Sequence, residues 1–323
     1  MKIGLFVSYN ETGGSLNQTL GLTKLISKLK INEKDQLCII SDKKINAKEH
    51  FNEKFEVYHF KKTWFDKILF FIFGFFKKNK YYSFKISNPF QNFVKKNDVD
   101  LLIFSNPSFY SLYCEDIYYA INIWNTEITK YKNFKEFKSG GYHYQKRIIN
   151  NAVENAFKII VFTEENKLDL INEYNCKPDD IKILNLTPIL PTKYKNNKDK
   201  NFLEIFNKFT FDKNKQWFFY PSQFWSHKNH IYILNAMRKI DQENLKKIGF
   251  IFCGRDKGNL DYIKNKIKEY KFEEHIKILG HIDDNELISI YKYSDAMIIP
   301  TYLGRSSLPL LEGIYFNKKI YYS

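Results

Sequence analysis

The chain alternates short apolar runs with longer stretches of helical periodicity from one end to the other, and this alternation constrains the fold more than any other feature. Runs at residues 2–8, 36–41, 55–60, 101–105, 120–124, 158–163 and 181–186 read as strands. After a polar stretch the pattern restarts at 217–220, 249–253, 276–279, 296–300 and 319–322. Continuously apolar strands separated by helices imply parallel sheets covered on both faces, because a parallel pair needs a crossover long enough to hold a helix. The class is α/β, with two doubly wound Rossmann-like domains. The stretch "PTKYKNNKDKN" at 191–201 is polar and without periodicity, which makes it the linker. The expected domains are therefore 1–195 and 196–323. In such folds the ligand sits at the carboxyl ends of the strands, and with two domains in the cleft between them.

Composition removes several function classes. Lys and Arg number 51 against 36 Asp and Glu, a net charge of +15, yet only Arg147, Arg238, Arg255 and Arg305 are arginines. Nucleic-acid readers lean on arginine for bidentate contacts, so the lysines read as scattered solvated charge and no nucleic-acid partner is expected. The positive field favours anionic partners such as nucleotides or acidic lipids. Cys38, Cys114, Cys176 and Cys253 lie far apart with no CxxC pair, as expected of buried free thiols in a reducing cytoplasm. The histidines show no metal-ligand spacing, and no metal site is expected. The N-terminus "MKIGLFVSYN" reads as a strand, not a signal peptide. One segment, "KKTWFDKILFFIFGFFKKNKYY" at 61–82, is apolar between lysines. It is too short to span a bilayer, which takes about 20 residues, and reads either as a core helix or as a helix lying on an anionic membrane surface.

Three strand-to-helix loops carry polar groups suited to an anion. In "FYPSQFWSHKNH" (219–230) the loop after the strand holds Gln223 and ends at Lys228, with a helix over 229–240. An ammonium there adds to the positive end of a helix dipole, and a diphosphate is the natural occupant. In "IIPTYLGRSSLPLLEG" (298–313), Ser306 and Ser307 are expected to cap a helix with Pro309 in its first turn. Glu312 falls about one turn further on, where a carboxylate can accept both hydroxyls of a ribose. In "SYNETGGSLNQ" (8–18), Gly13 and Gly14 allow a close backbone approach, but this is not the GxGxxG dinucleotide fingerprint. The pairs Asp179–Asp180 and Asp283–Asp284 read as caps, not as a metal-binding DxD.

The combination of "PSQFWSHKNH", "ILGHIDDNELISIYKYSDAMIIPT" and "GRSSLPLLEG" resembles the retaining family-4 glycosyltransferases of GT-B fold, and within them the bacterial branch that builds surface polysaccharides. The likeness extends to "INIWNTEITKYKNFKEF" (121–137) and "AFKIIVFTEENKLDLINEY" (156–174). It implies a transfer of sugar from a nucleotide-sugar donor to a glycan or lipid-linked acceptor, with retention and without a metal. It further implies that Lys228 meets the donor diphosphate, Glu312 the ribose, and Ser306 and Ser307 the phosphates through their amides. His281 and Ile282 match the loop that brackets the base, and Gly14 the glycine loop near the phosphates. Gln223 stands where many relatives have an arginine, and Gly304 where they have a first glutamate. Where relatives carry a histidine facing the donor sugar, "NTEIT" offers none, and Asn125 and Glu127 are the stand-ins. Cofactor needs end there, the nucleotide diphosphate sugar being a co-substrate.

Relatives also continue beyond "NKKIYYS", so the resemblance implies a C-terminally truncated second domain. Either the gene is shorter or the sequence is a fragment. The alternative function is then a non-catalytic nucleotide- or partner-binding protein of the same fold. The enzyme would work in the cytoplasm, peripherally on the inner face of the membrane if 61–82 binds lipid.

Overall fold

The computed structural model describes residues 1–7, 14–27, 34–42, 55–64, 67–68, 88–129, 131–138, 141–185, 208–304 and 307–323. Most of the apolar 61–82 segment, the glycine loop up to Gly13, the 191–201 linker and Ser306 lie outside these residues. The chain forms two compact units. The first comprises Met1–Thr129 with Tyr142–Asn185, and the second Lys130–Gly141 with Leu186–Ser323. Residues 130–141, expected in the first domain, thus pack with the second.

In the first unit seven parallel strands run in the order β3-β2-β1-β4-β5-β6-β7. They are β1 (Lys2–Val7), β2 (Gln36–Ser41), β3 (Glu56–His59), β4 (Leu101–Phe104), β5 (Tyr118–Asn122), β6 (Lys158–Val161) and β7 (Ile181–Ile183). The helices, labelled in chain order, are α1 (Gly14–Ser27), α2 (Pro89–Lys96), α4 (Gly141–Asn155) and α5 (Glu164–Tyr174), with α3 (Lys135–Lys138) belonging to the second unit. Side chains alternate across a strand, and β1 uses both faces. Leu5 and Val7 pack with Leu22 and Ile26 of α1 on one side. Phe6 meets Phe90 of α2 at 5.6 Å and Phe104 at 5.3 Å on the other. Each fully buried side chain of this kind contributes roughly 1.5–3 kcal/mol. Asn88 starts α2 by accepting from the Phe90 and Gln91 amides, and Pro89 fits the first turn because its missing N–H has no partner to lose.

The second unit has five parallel strands, β8 (Gln216–Pro221), β9 (Ile248–Cys253), β10 (Ile276–Gly280), β11 (Ala296–Ile299) and β12 (Lys319–Tyr322). Their order is β10-β9-β8-β11-β12, so the direction of winding reverses between β8 and β11. The helices are α6 (His230–Met237), α7 (Gln242–Leu245), α8 (Leu260–Glu269), α9 (Asp284–Tyr293) and α10 (Leu308–Tyr315). Trp217, Phe219, Phe250, Phe252 and Tyr291 centre the core. Gly313 lets α10 settle onto β11, since a Cβ there would lie 2.4 Å from the Met297 sulfur. All four cysteines are buried and none is in a disulfide, burial pushing the Cys253 thiol up to about 12. Among the described residues no helix is long and apolar enough to cross a membrane.

Candidate active site

In a doubly wound sheet the ligand crevice opens beyond the carboxyl ends of the strands at the reversal point, here between β8 and β11. The loop after β8 carries Gln223 to Lys228, and the loop after β11 carries Thr301 to Gly304. The two loops are stitched together. The His227 carbonyl accepts from the Tyr302 amide at 2.9 Å and from the Thr301 hydroxyl at 3.4 Å. Lys228 then extends its ammonium to the Leu303 carbonyl at 3.4 Å.

The local chain path explains the placement of Lys228. Residues Ser226–Lys228 form a single 3₁₀ turn, and Asn229 follows in the left-handed conformation at φ 56° before α6 begins. Asparagine tolerates that region, where a β-branched residue would be strained. The helix expected over 229–240 therefore starts at His230 and ends at Met237, and Lys228 closes the 3₁₀ turn instead of opening the helix. Its carbonyl accepts from the Tyr220 hydroxyl at 2.7 Å, which fixes the main chain below the amine. Burial pushes the Lys228 ammonium down to about 8, with the Glu136 carboxylate opposing that fall. Among the described residues the ammonium makes one long hydrogen bond, and a lysine desolvated in this way is poised for an anion.

Gly304 borders the same amine. Its φ is +115°, a conformation that favours glycine, and a Cβ there would stand 3.3 Å from the Lys228 nitrogen. A glutamate at this position would strain the backbone and crowd the lysine.

The remaining expected residues separate into those at the reversal point and those away from it. Gln223 lies in the β8 loop, its side-chain oxygen accepting from the Trp225 indole at 3.1 Å. Ser307 precedes α10 but makes no side-chain cap bond, contrary to expectation. A capping oxygen accepts from the second or third helical N–H, and Pro309 at the second position leaves the Leu310 amide as the one donor a cap could use. Glu312 is buried on α10 and accepts from the Tyr291 hydroxyl at 2.6 Å, with burial pushing its carboxyl up to about 7. His281 and Ile282 follow β10, two strands from β8. His281 is exposed and Ile282 packs into the core. Asp283 opens α9 with a capping box, and Asp180 pairs with Lys158 at 3.1 Å. Asp180 is thus an ion-pair partner, not a cap.

Gly14, Asn125 and Glu127 belong to the first unit. Gly14 is the first residue of α1. Asn125 is half-buried and its side-chain oxygen accepts the Glu127 amide at 2.9 Å, while Glu127 is buried. Next to them the Thr126 hydroxyl donates to Asp169 at 2.8 Å and accepts from Asn166 at 2.9 Å.

Sequence reasoning gives the two histidines of the Lys228 loop, His227 and His230, no role. His227 hydrogen-bonds through Nδ1 to the Glu136 carboxylate, and its backbone amide donates to the same oxygen at 3.1 Å. Those bonds take the Glu136 carboxyl down to about 2 against the opposing effect of burial, and burial lowers the His227 imidazole. The signal that was available is the adjacency of His227 to Lys228. His230 contributes aromatic packing, stacked on Phe224 at 4.5 Å. Burial pushes it down to about 3, so it is neutral across the physiological range.

Among the described residues no group of three or more His, Cys, Asp or Glu side chains is arranged to hold a metal ion. Residues 201–320 match the family described as Glycosyl transferases group 1, so the second unit carries a glycosyltransferase domain. No curated protein matches the chain. Among solved structures it is similar to HepE of Anabaena in complex with UDP and glucose, at 13% identity and TM-score 0.70, over 99% of this chain and 80% of that one. It is also similar to WaaG, a glycosyltransferase involved in lipopolysaccharide biosynthesis, at 11% identity and TM-score 0.67, over 98% and 80% of the two chains. Sucrose-phosphate synthase of Thermosynechococcus elongatus matches at 12% identity and TM-score 0.68, over 99% and 80%. At these identities the likeness is one of fold, and the fold is GT-B.

Proposed function

We propose, from a second unit that carries a group 1 glycosyltransferase domain, that this chain transfers a sugar from a nucleoside diphosphate sugar to a hydroxyl of a glycan or lipid-linked acceptor in surface-polysaccharide synthesis. The donor binds the second unit and the acceptor the first. The observation that carries this reading is Lys228, held at the winding reversal of the β8–β11 sheet with its ammonium destabilised by burial. An anion is what such a group lacks. Structures of similar fold were solved with UDP and a sugar, which supports a uridine nucleotide as the first donor to try.

The chemistry follows from the charge. The bond between the anomeric carbon and the diphosphate oxygen breaks, and its electron pair stays on that oxygen. The acceptor oxygen bonds to the anomeric carbon and its proton passes to the released diphosphate, with retention of configuration and no metal. Lys228 and the backbone N–H groups at the start of α10 stabilise the growing negative charge, and being fixed in advance they need no reorganisation. Glu312 holds the ribose, its carboxylate exchanging the Tyr291 hydroxyl for those of the sugar. His281 and Ile282 bracket the base through their main chain, and Gln223 flanks the diphosphate. In the first unit Gly14 borders the phosphates, while Asn125 and Glu127 supply the polar group facing the transferred sugar.

Calorimetric titration of the purified chain and of Lys228→Ala with UDP and GDP tests this. One nucleotide should bind the wild type and not the variant, and transfer by the variant should fall at least ~10²-fold, the scale for removing one preorganised stabiliser. A folded wild type that binds neither nucleotide sinks the reading.

A further inference from the structure

We infer that Glu136 is the positioning residue for Lys228: its carboxylate anchors the 226–228 turn and sets a negative charge by the ammonium that the turn holds at the winding reversal. The consequence for nucleotide binding rests on the function proposed above. The hold of Glu136 on Lys228 does not.

Glu136 sits on α3, in a segment that leaves the first unit and packs wholly with the second. Its side chain is 6% exposed and that of His227 15%. A carboxylate so enclosed persists only where donors replace water, and one oxygen takes two, the amide and the ring Nδ1–H of His227. Both donors belong to the residue immediately before Lys228. The carboxylate thereby fixes the backbone and the ring at the last step before the functional amine.

The turn is gripped on its sides as well. The His227 ring is nearly parallel to those of Phe137 at 6.5 Å and Trp225 at 6.2 Å, with Phe134 edge-on at 6.3 Å. The Lys257 ammonium rests over the Trp225 ring at 5.5 Å. The Lys135 ammonium donates to the Gly258 carbonyl at 3.1 Å, tying α3 to the loop after β9. A helix of one turn is thus clamped to the loops after both β8 and β9.

Charge separates this arrangement from a mere tether. Among the described residues the groups around Lys228 are Glu136 on α3, His227 in its own turn, His230 on α6, Tyr220 on β8, the Leu303 carbonyl in the loop after β11, and Tyr322 on β12, whose hydroxyl donates to the Gly304 carbonyl at 3.4 Å. Burial lowers both imidazoles and Lys228 lowers them further, while the Glu136 carboxylate opposes the fall at His227. Glu136 is the carboxylate that raises the Lys228 ammonium against burial.

The test uses Glu136→Gln in the full chain, with two readouts. The first is the pH dependence of Lys228 modification by an amine-selective reagent, followed by mass spectrometry. The second is UDP affinity. Half-modification of wild-type Lys228 should fall near pH 8, and that of Glu136→Gln at lower pH. UDP binding at neutral pH should weaken about tenfold, the scale of one hydrogen bond to a charged group. A purely structural tether would shift the melting temperature and leave the modification profile in place, and that result in a folded variant overturns the inference. Should Glu136→Gln not fold, Glu136→Asp is read the same way, with values between wild type and Gln expected and unchanged values overturning the inference. A wild type that binds no nucleotide defeats the proposed function, yet the modification profile still decides what Glu136 does to Lys228.

Discussion

Two helices of the second sheet begin in opposite ways. At α9 the Asp283 carboxylate accepts from the Asn285 amide at 2.8 Å and the Glu286 amide at 2.9 Å, and Glu286 reaches back to the Asp283 amide at 3.1 Å. That helix end is closed by its own side chains. At α10 Ser307 occupies the same position and forms no side-chain cap bond. Both helices follow strands of one sheet, but β10 is an edge strand and β11 adjoins the winding reversal. The difference teaches where the fold spends its donors. At the edge they are consumed locally, whereas at α10, among the described residues, the Ser307 side chain makes no bond to the first turn. Helix starts without a side-chain cap are the ones able to receive phosphate.

Substitutions can break or sharpen that contrast. The largest effect belongs to Lys228→Met. A buried ammonium whose folded value is about 8 binds its proton less well folded than unfolded. The wild type therefore gains stability as the pH rises from about 8 toward the unfolded lysine value of about 10.4. Below that window the charge is a burden, so the methionine variant should be more stable at neutral pH by about 2–3 kcal/mol. It should lose nucleotide binding while doing so. Urea unfolding at pH 7 and pH 10 checks this, since the two proteins should converge at the higher pH. Equal stability at both would mean that the amine is well solvated.

Asp283→Ala comes next. Opening the closed helix end should cost about 1 kcal/mol and leave UDP affinity unchanged. Ser307→Ala is smallest. With no cap bond to lose, it should change stability by no more than a few tenths of a kcal/mol, below the usual price of removing a capping serine. A loss near that of Asp283→Ala, seen in parallel urea curves, would show that Ser307 caps α10 after all.

The strands were legible because burial on both faces of a parallel sheet writes itself as a continuous apolar run. Each run became a strand. Both ends of β5 are shifted by two residues, the strand spanning Tyr118–Asn122 where 120–124 was expected. There the Trp124 indole leaves the ladder to donate to the Ser105 carbonyl at 3.3 Å. Lys228 was legible because a strand-end loop meeting a helix is a local pattern. The absent Ser307 cap was not legible, since Pro309 removes only the second helical N–H, the Leu310 amide remains, and serine preference points to a cap. The Glu136–His227 contact was not legible. It joins residues 91 apart in sequence, and "YKNFKEFK" shows neither strand nor amphipathic periodicity. Such a contact is decided by the packing of a tertiary structure, which no local window contains.

That separation has a consequence for biosynthesis. The chain leaves the first unit at Lys130, returns to it at Tyr142, and reaches His227 only after the first unit's final segment, which ends at Asn185. At translation rates of about 5–20 residues per second, the 91 residues between Glu136 and His227 take about 5–20 s to emerge. For that interval α3 exists without its docking partner, and Phe134 and Phe137 have no His227 ring to cover. A nascent chain paused between Asn185 and His227 presents an aromatic segment flanked by lysines to whatever chaperone or protease is near, with the last residue of the first unit already made.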